Sequence, residues 1–265
     1  MLRKFVRWIL FAVPASYVLV CSGLYFSQES LLFRPEPLAT NFRFEFPQSF
    51  KEVSLPVEGA TLNALHFTIP NPKGVVLFLH GNAGSLRRWG EVADSFTSRG
   101  YDLFIFDYRG YGKSNGKIAS EQQLVDDGER AYRYVSERYP QKNIVIYGRS
   151  LGTGLAAQIA LSHLPKMLIL ETPYVSLKDL TRRFYPYVPG FLLRFPLRTD
   201  LALPQIKSPV YLIHGTADEI VPFDSSEQLL PLIQSPKELV AIPNGEHNGL
   251  RLTPIYNAAL DRFLL

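Results

Sequence analysis

The residues best suited to chemistry lie in Gly148-Arg149-Ser150-Leu151-Gly152, a serine held between glycines two positions away on either side. Ile144-Val145-Ile146-Tyr147 before it is an apolar run of strand type, and a helical stretch follows. A strand that turns through Gly-x-Ser-x-Gly into a helix leaves no room for side chains at the glycines. It presents the hydroxyl at the top of the sheet, beside a helix N-terminus. Such a serine can attack a carbonyl carbon once a base takes its proton and an acid holds that base in the right tautomer. His247 is the expected base, in the polar turn Pro243-Asn244-Gly245-Glu246-His247-Asn248 after the last predicted strand. His66 falls inside a strand pattern and His163 ends a helix, while His80 and His214 each precede a glycine at a strand end and read as structural. Asp218 is the expected acid, in His214-Gly215-Thr216-Ala217-Asp218, with Glu219 and Asp224 as neighbouring rivals and Asp107 read as structural.

An oxyanion formed at Ser150 needs two donors aimed at it. The backbone N–H of Leu151, first in the following helix, is one. The other is expected in His80-Gly81-Asn82-Ala83-Gly84, at the N–H of Asn82 with Ala83 as its neighbour, where glycines let the backbone approach a substrate closely.

The elements that must position these groups alternate. Residues 52–57 and 61–67 suggest an opening antiparallel pair. The runs 74–80, 101–107, 143–148, 167–171, 210–214 and 238–242 are continuously apolar, as strands buried on both faces are. Helical stretches are predicted at 85–99, 120–139, 151–163, 225–234 and 250–264, the second opened by the capping box Ser120-x-x-Gln123. This alternation predicts an α/β fold: a mostly parallel sheet of about eight strands with helices on both faces. Functional residues should gather beyond the carboxyl ends of the strands. Residues 174–207 form a short insertion, a small cap, within which Phe184–Phe195 is rich in aromatics and interleaved with arginines. That cap could line an acyl pocket, rest on an anionic lipid surface, or simply pack over the sheet edge.

Together, His80–Gly84, Phe106-Asp107-Tyr108-Arg109-Gly110-Tyr111-Gly112-Lys113-Ser114, Gly148–Gly152, His214–Pro222 and Gly245-Glu246-His247 resemble the α/β-hydrolase superfamily. More narrowly, they resemble its small membrane-anchored serine hydrolases of the bud-emergence type, which are serine aminopeptidase-like and include depalmitoylating members. The resemblance covers nearly the whole chain. It implies a nucleophile at Ser150, an acid at Asp218, a base at His247, an oxyanion donor in Asn82–Ala83, and no metal or organic cofactor.

The N-terminus adds a membrane. Trp8 to Phe26 carries no charge over 19 residues and follows Arg3, Lys4 and Arg7; about 20 apolar residues suffice to cross a bilayer. The expected division is residues 1–7 cytoplasmic, 8–26 a transmembrane anchor, 27–50 a juxtamembrane connector and 51–265 a catalytic domain on the non-cytoplasmic side. The competing reading is a signal peptide cleaved near Cys21, giving a secreted protein. Beyond residue 30, basic and acidic residues nearly balance, which argues against a nucleic-acid partner. Cys21 is the sole cysteine, so neither a disulfide framework nor a cysteine nucleophile in the domain is available. Expected partners are therefore the membrane and an acyl-containing substrate: a small molecule, a lipid or an acylated protein.

Two other classes compete. A catalytically idle hydrolase fold could serve as a membrane scaffold, although a scaffold has no need of three matched residues. Gly152-Thr153-Gly154-Leu155-Ala156-Ala157, with Glu171 ending the next strand, also satisfies the dinucleotide fingerprint of an oxidoreductase. That reading leaves His80–Gly84 and His247 unexplained. Gly112-Lys113-Ser114 imitates a phosphate loop but has Asp107 where the loop requires glycine.

Overall fold

A computed structural model describes residues 2–265; Met1, first of the residues expected on the cytoplasmic side, lies outside them. One sheet of eight strands organises the chain: β1 (Phe50–Val57), β2 (Ala60–Phe67), β3 (Gly74–Leu79), β4 (Tyr101–Phe106), β5 (Ile144–Arg149), β6 (Met167–Glu171), β7 (Val210–Gly215) and β8 (Lys237–Ile242). Their spatial order is β8-β7-β6-β5-β3-β4-β2-β1. β2 runs antiparallel to both β1 and β4, and every other pairing is parallel. All six residues of β3 and all six of β4 are buried, as their unbroken apolarity predicts.

The period-two alternation of the strands sorts their side chains into two cores. Val75, Leu77 and Leu79 of β3 point to one side, with helices α4 (Glu121–Ser136) and α5 (Leu151–Leu161). Val76 and Phe78 point to the other, with the short helices α2 (Leu86–Trp89) and α3 (Ala93–Thr97) and the C-terminal helix α9 (Pro254–Leu264). The remaining helices are α1 (Leu2–Leu32), α6 (Leu177–Phe184), α7 (Thr199–Ala202) and α8 (Asp224–Leu229).

Element ends follow local chemistry. Ser120 Oγ accepts from Gln123 N at 3.1 Å, while Gln123 Oε1 accepts from Ala119 N at 2.8 Å, so the return bond of the expected capping box falls one residue early. The helix expected over 250–264 starts at Pro254, capped by Thr253. Proline needs no N–H partner at that first position. The helix expected over 225–234 ends at Leu229 and tightens into a 3₁₀ turn over Leu230–Leu232, because Pro231 cannot donate the next helical bond. The stretch 85–99 divides into α2, a 3₁₀ turn and α3.

The N-terminal region departs most from expectation. The uncharged run Trp8–Phe26 lies within α1, which continues unbroken through Pro14 to Leu32, so the first residues of the expected connector are helical. Leu10–Leu32 is long and apolar enough to cross a membrane, and of its residues only Gln28 is buried. The rest of the connector packs onto the domain. Phe33 and Phe44 are buried, and the Phe46 ring sits so close to Gly90 that a Cβ there would lie 2.3 Å from it. Arg34–Pro35 pairs in parallel with Ala83–Gly84.

A buried ion pair ties the loop after β4 to α4. Arg109 Nε and Nη2 donate to Asp127 Oδ2 and Oδ1 at 2.7 and 2.8 Å, and both side chains are almost wholly buried. Asp127→Ala strands a guanidinium in the interior and is expected to lower stability by about 3–5 kcal/mol, read as a lower urea midpoint for the detergent-solubilised chain. A shift under about 1 kcal/mol, the range of exposed pairs, would contradict this account.

Candidate active site

Ser150 is the residue on which the site turns. It follows β5 directly and caps α5 with φ 51° and ψ −119°, a backbone conformation that costs about 1–3 kcal/mol in a non-glycine residue. The flanking glycines make the turn possible by close approach. A Cβ on Gly152 would fall 2.1 Å from Leu79 O, and one on Gly148 would fall 2.5 Å from Gly152 O. Ser150 N donates to Glu171 O at 2.9 Å, which fixes the turn to the end of β6.

The three residues picked as nucleophile, base and acid meet. His247 Nε2 lies 3.0 Å from Ser150 Oγ, and His247 Nδ1 lies 2.8 Å from Asp218 Oδ2. His247 and Asp218 are both buried. Burial pushes the Asp218 carboxyl up, but side-chain hydrogen bonds from His214 and His247 and the backbone N–H of Val221 outweigh it. The net effect holds the carboxyl well below the usual carboxylate range. An ionised Asp218 can only accept, so His247 Nδ1 carries the proton and Nε2 is left to accept from the serine hydroxyl. A histidine so placed can take the Ser150 proton as the oxygen attacks.

Asp224, the rival acid, instead pairs with Arg183 of α6 at 2.9 Å. Among the other histidines, His66 Nε2 contacts Tyr139 Oη at 3.0 Å, and His163 stacks on Tyr132 beside Glu129. His80 is fully buried against Trp89, with Nδ1 2.7 Å from Gly81 O. The glycines of the dinucleotide fingerprint serve packing, since a Cβ on Gly154 would lie 2.3 Å from Tyr174 Oη. Glu171 is engaged by Tyr147 and Arg149.

Asn82 and Leu151 both line a cleft of about 760 Å³ that contains Ser150 and His247. Among the described residues, neither backbone N–H is taken by a protein acceptor. Leu151 N–H stands at the positive end of the helix dipole of α5. Gly81 lies against the serine, a Cβ there being 3.7 Å from Ser150 Cβ. The Asn82 loop is held from outside by the chain that leaves α1. Arg34 N and Glu36 N donate to Asn82 O and Gly84 O at 2.8 and 3.0 Å, and Tyr111 Oη donates to Asn82 O at 2.6 Å.

Several contributors escape the sequence reading. His214 Nε2 lies 3.2 Å from Asp218 Oδ2 and 2.8 Å from Val221 O, so it carries its proton toward two acceptors while Nδ1 faces Ser226 Oγ at 2.7 Å. Its position four residues before Asp218, across a turn, was the available signal. Arg149 bridges two loops: Nε donates to Glu171 at 2.9 Å, and Nη2 donates to His247 O and Asn248 Oδ1 at 3.0 and 2.9 Å. Nothing in its sequence context marks that role. Leu31 and Leu32, at the end of α1, also line the cleft.

Residues 70–199 match the family described as serine aminopeptidase, S33. The chain is 30% identical over 213 residues to the uncharacterised protein YfhR of Salmonella typhimurium, covering 73% of this chain and 72% of that one. It is 32% identical over 203 residues to human alpha/beta hydrolase domain-containing protein 17B, covering 74% and 67%. It is 32% identical over 188 residues to the zebrafish (Danio rerio) lysophosphatidylserine lipase ABHD12, covering 62% and 48%. In fold it is similar to a Pyrococcus furiosus esterase, Pf2001, with TM-score 0.70 at 20% identity over 88% of this chain and 97% of that one. With its sheet order, its strained serine turn and these relatives, the chain belongs to the α/β-hydrolase superfamily.

Proposed function

We propose that this hydrolase is a membrane-anchored serine hydrolase that cleaves an ester, thioester or amide through an acyl-enzyme on Ser150. The contact series Ser150 Oγ, His247 Nε2, His247 Nδ1, Asp218 Oδ2, at 3.0 and 2.8 Å, carries this reading. In the first half-reaction His247 takes the hydroxyl proton as Ser150 Oγ bonds to the carbonyl carbon, and it then gives that proton to the leaving oxygen, sulfur or nitrogen. In the second half-reaction a water is activated by the same base and releases the acid. The N–H groups of Leu151 and Asn82 receive the oxyanion in both halves. Asp218 stays ionised throughout and stabilises the imidazolium. Every group this chemistry needs is supplied by side chains and backbone, without a metal or organic cofactor. The substrate is an acyl-containing small molecule, lipid or acylated protein.

The anchor is α1, crossing the membrane with residues 1–7 on the cytoplasmic side and the domain opposite. The length of the apolar part supports the crossing, and the basic residues before it support the orientation.

Ser150→Ala is expected to abolish labelling by a fluorophosphonate probe and to lower kcat by about 10⁴–10⁶-fold. Full labelling of that variant would place the reactive group elsewhere. Asp218→Asn is expected to keep the fold and cut turnover by about 10⁴-fold, because the amide favours the wrong histidine tautomer. The lowered Asp218 carboxyl stabilises the native state above the usual carboxylate range. That contribution is lost as the pH falls from about 5 through about 4 and below, so the wild type should lose more stability on acidification than the variant. Equal turnover of wild type and Asp218→Asn would remove this acid from the mechanism.

The topology is expected to appear as an active C-terminal alkaline phosphatase fusion and as retention through a carbonate wash. Replacing Arg3, Lys4 and Arg7 with glutamate should weaken the orientation. An inactive fusion would put the domain in the cytoplasm, and a freely washed chain beginning near Ser22 would make the segment a signal peptide.

A further inference from the structure

The cap carries a cluster of bare aromatic rings. Phe184 is 49%, Tyr185 65%, Tyr187 85% and Phe191 85% exposed. Scattered exposed apolar residues are ordinary, but four large aromatics bare within eight positions of one segment ask for a partner. The same cap is fastened along α1. Tyr17 Oη donates to Tyr187 O at 2.8 Å, and Gln28 Nε2 donates to Leu192 O at 2.7 Å. Gln28 Oε1 accepts from Arg194 N at 2.8 Å, and the Arg194 guanidinium lies over the Tyr25 ring.

These contacts have a consequence for depth. The uncharged part of α1 begins at Trp8, and Tyr17 lies about 14 Å further along the helix axis. The hydrocarbon core of a bilayer is about 30 Å thick. With the basic residues before Trp8 at one headgroup layer, Tyr17 sits near mid-membrane, and a cap bonded to it cannot remain in water. We propose that the aromatic tip of the cap, Phe184 to Phe191, is a second membrane-contacting surface, seated in the leaflet on the domain side of the bilayer beside α1.

The chemistry of the patch suits this occupant. Tyrosine and phenylalanine are residues of the membrane interface. On α6, Lys178 and Arg182 are exposed, one helical turn apart, and among the described residues no carboxylate pairs with either. Both are free to meet lipid phosphates. The inference rests on the membrane-crossing reading of α1 given above and deepens the substrate assignment. Leu31 and Leu32 of α1 and Leu177 and Leu180 of α6 line the cleft of Ser150, so its apolar mouth opens where α1 and the cap meet lipid. The substrate is then one whose acyl chain resides in the membrane and slides into the cleft without crossing water.

The test uses the full chain in vesicles of phosphatidylcholine and phosphatidylglycerol. In a Cys21→Ser background, Phe191→Cys carries an environment-sensitive fluorophore. Lys142→Cys, exposed just before β5 at the opposite end of the sheet, serves as the reference. Emission at 191 is expected to shift to the blue and to be quenched by lipid-borne nitroxides, with neither effect at 142. Identical behaviour at the two positions overturns the proposal. In a second measurement, Tyr187→Asp with Phe191→Asp should lower kcat/KM on a long-chain acyl ester in vesicles by at least about tenfold, from the loss of two buried rings. Hydrolysis of a short water-soluble ester should change less than about twofold. Equal effects on the two esters overturn the delivery route. If the wild type fails to cleave even the short ester, the Ser150 reading falls, while the fluorescence result still decides where the cap sits.

Discussion

The constraint from which the site follows is the backbone of Ser150. Its positive φ is maintained because β5 and α5 meet with nothing between them at Gly148 and Gly152. The same tight meeting presses Gly152 against Leu79 O and His80 O, at the end of the neighbouring strand β3. The loop that begins at His80 is thereby set relative to the serine by packing, before any hydrogen bond is counted. One strained residue thus aims the hydroxyl, starts α5 beside the cleft, and sets its spacing to the loop of Asn82. The strain persists because eight strands and two cores over-determine it.

Around that turn, two buried aspartates show how donors decide charge. Asp218 and Asp107 are both almost inaccessible. Asp218 receives two histidines and two backbone N–H groups, from Ile220 and Val221, and its carboxyl is held low. Asp107 has the Leu86 N–H at 3.0 Å, but His80 Nε2 stands 3.5 Å away, beyond a good hydrogen bond. There burial prevails over the pull of His80 and the Leu86 N–H and pushes the carboxyl up. The two carboxyls therefore suit different work. Asp218 can balance a positive imidazole, whereas Asp107 braces the start of α2 and, through it, the loop that carries Asn82. On the far side, Arg149 and Glu171 hold the histidine loop to the ends of β5 and β6.

Most of the fold was legible in the sequence because continuous apolar runs and their spacing report directly on strands buried on both faces. That Ser150, Asp218 and His247 meet was legible for a related reason: each follows a recognisable strand, and strand ends converge in a parallel sheet. What stayed hidden depends on contacts between segments distant in the chain. Arg149 lies in the elbow itself, yet its partner atom is a carbonyl almost a hundred residues later. The stretch 33–38 falls inside the connector expected over 27–50. Its pairing with Ala83–Gly84 uses backbone groups, which leave no pattern in residue types. The helices over 85–99 and 225–234 were overdrawn because propensity does not register where a proline withdraws a donor or where a turn tightens.

The pairing of Arg34–Pro35 with Ala83–Gly84 makes the exit from α1 part of the wall around Ser150. A soluble form trimmed at the start of β1 would retain the eight strand sequences with Ser150, Asp218 and His247, yet it would lose the Arg34 and Glu36 amides that grip the Asn82 loop. It would also lose Phe33 from the core. The shortest faithful soluble form begins at or before Gln28, so that this side chain still fastens the cap. The end of α1 and the cleft of Ser150 share a boundary that cannot be moved freely, because the chain leaving the helix pairs within a few residues with the loop of Asn82.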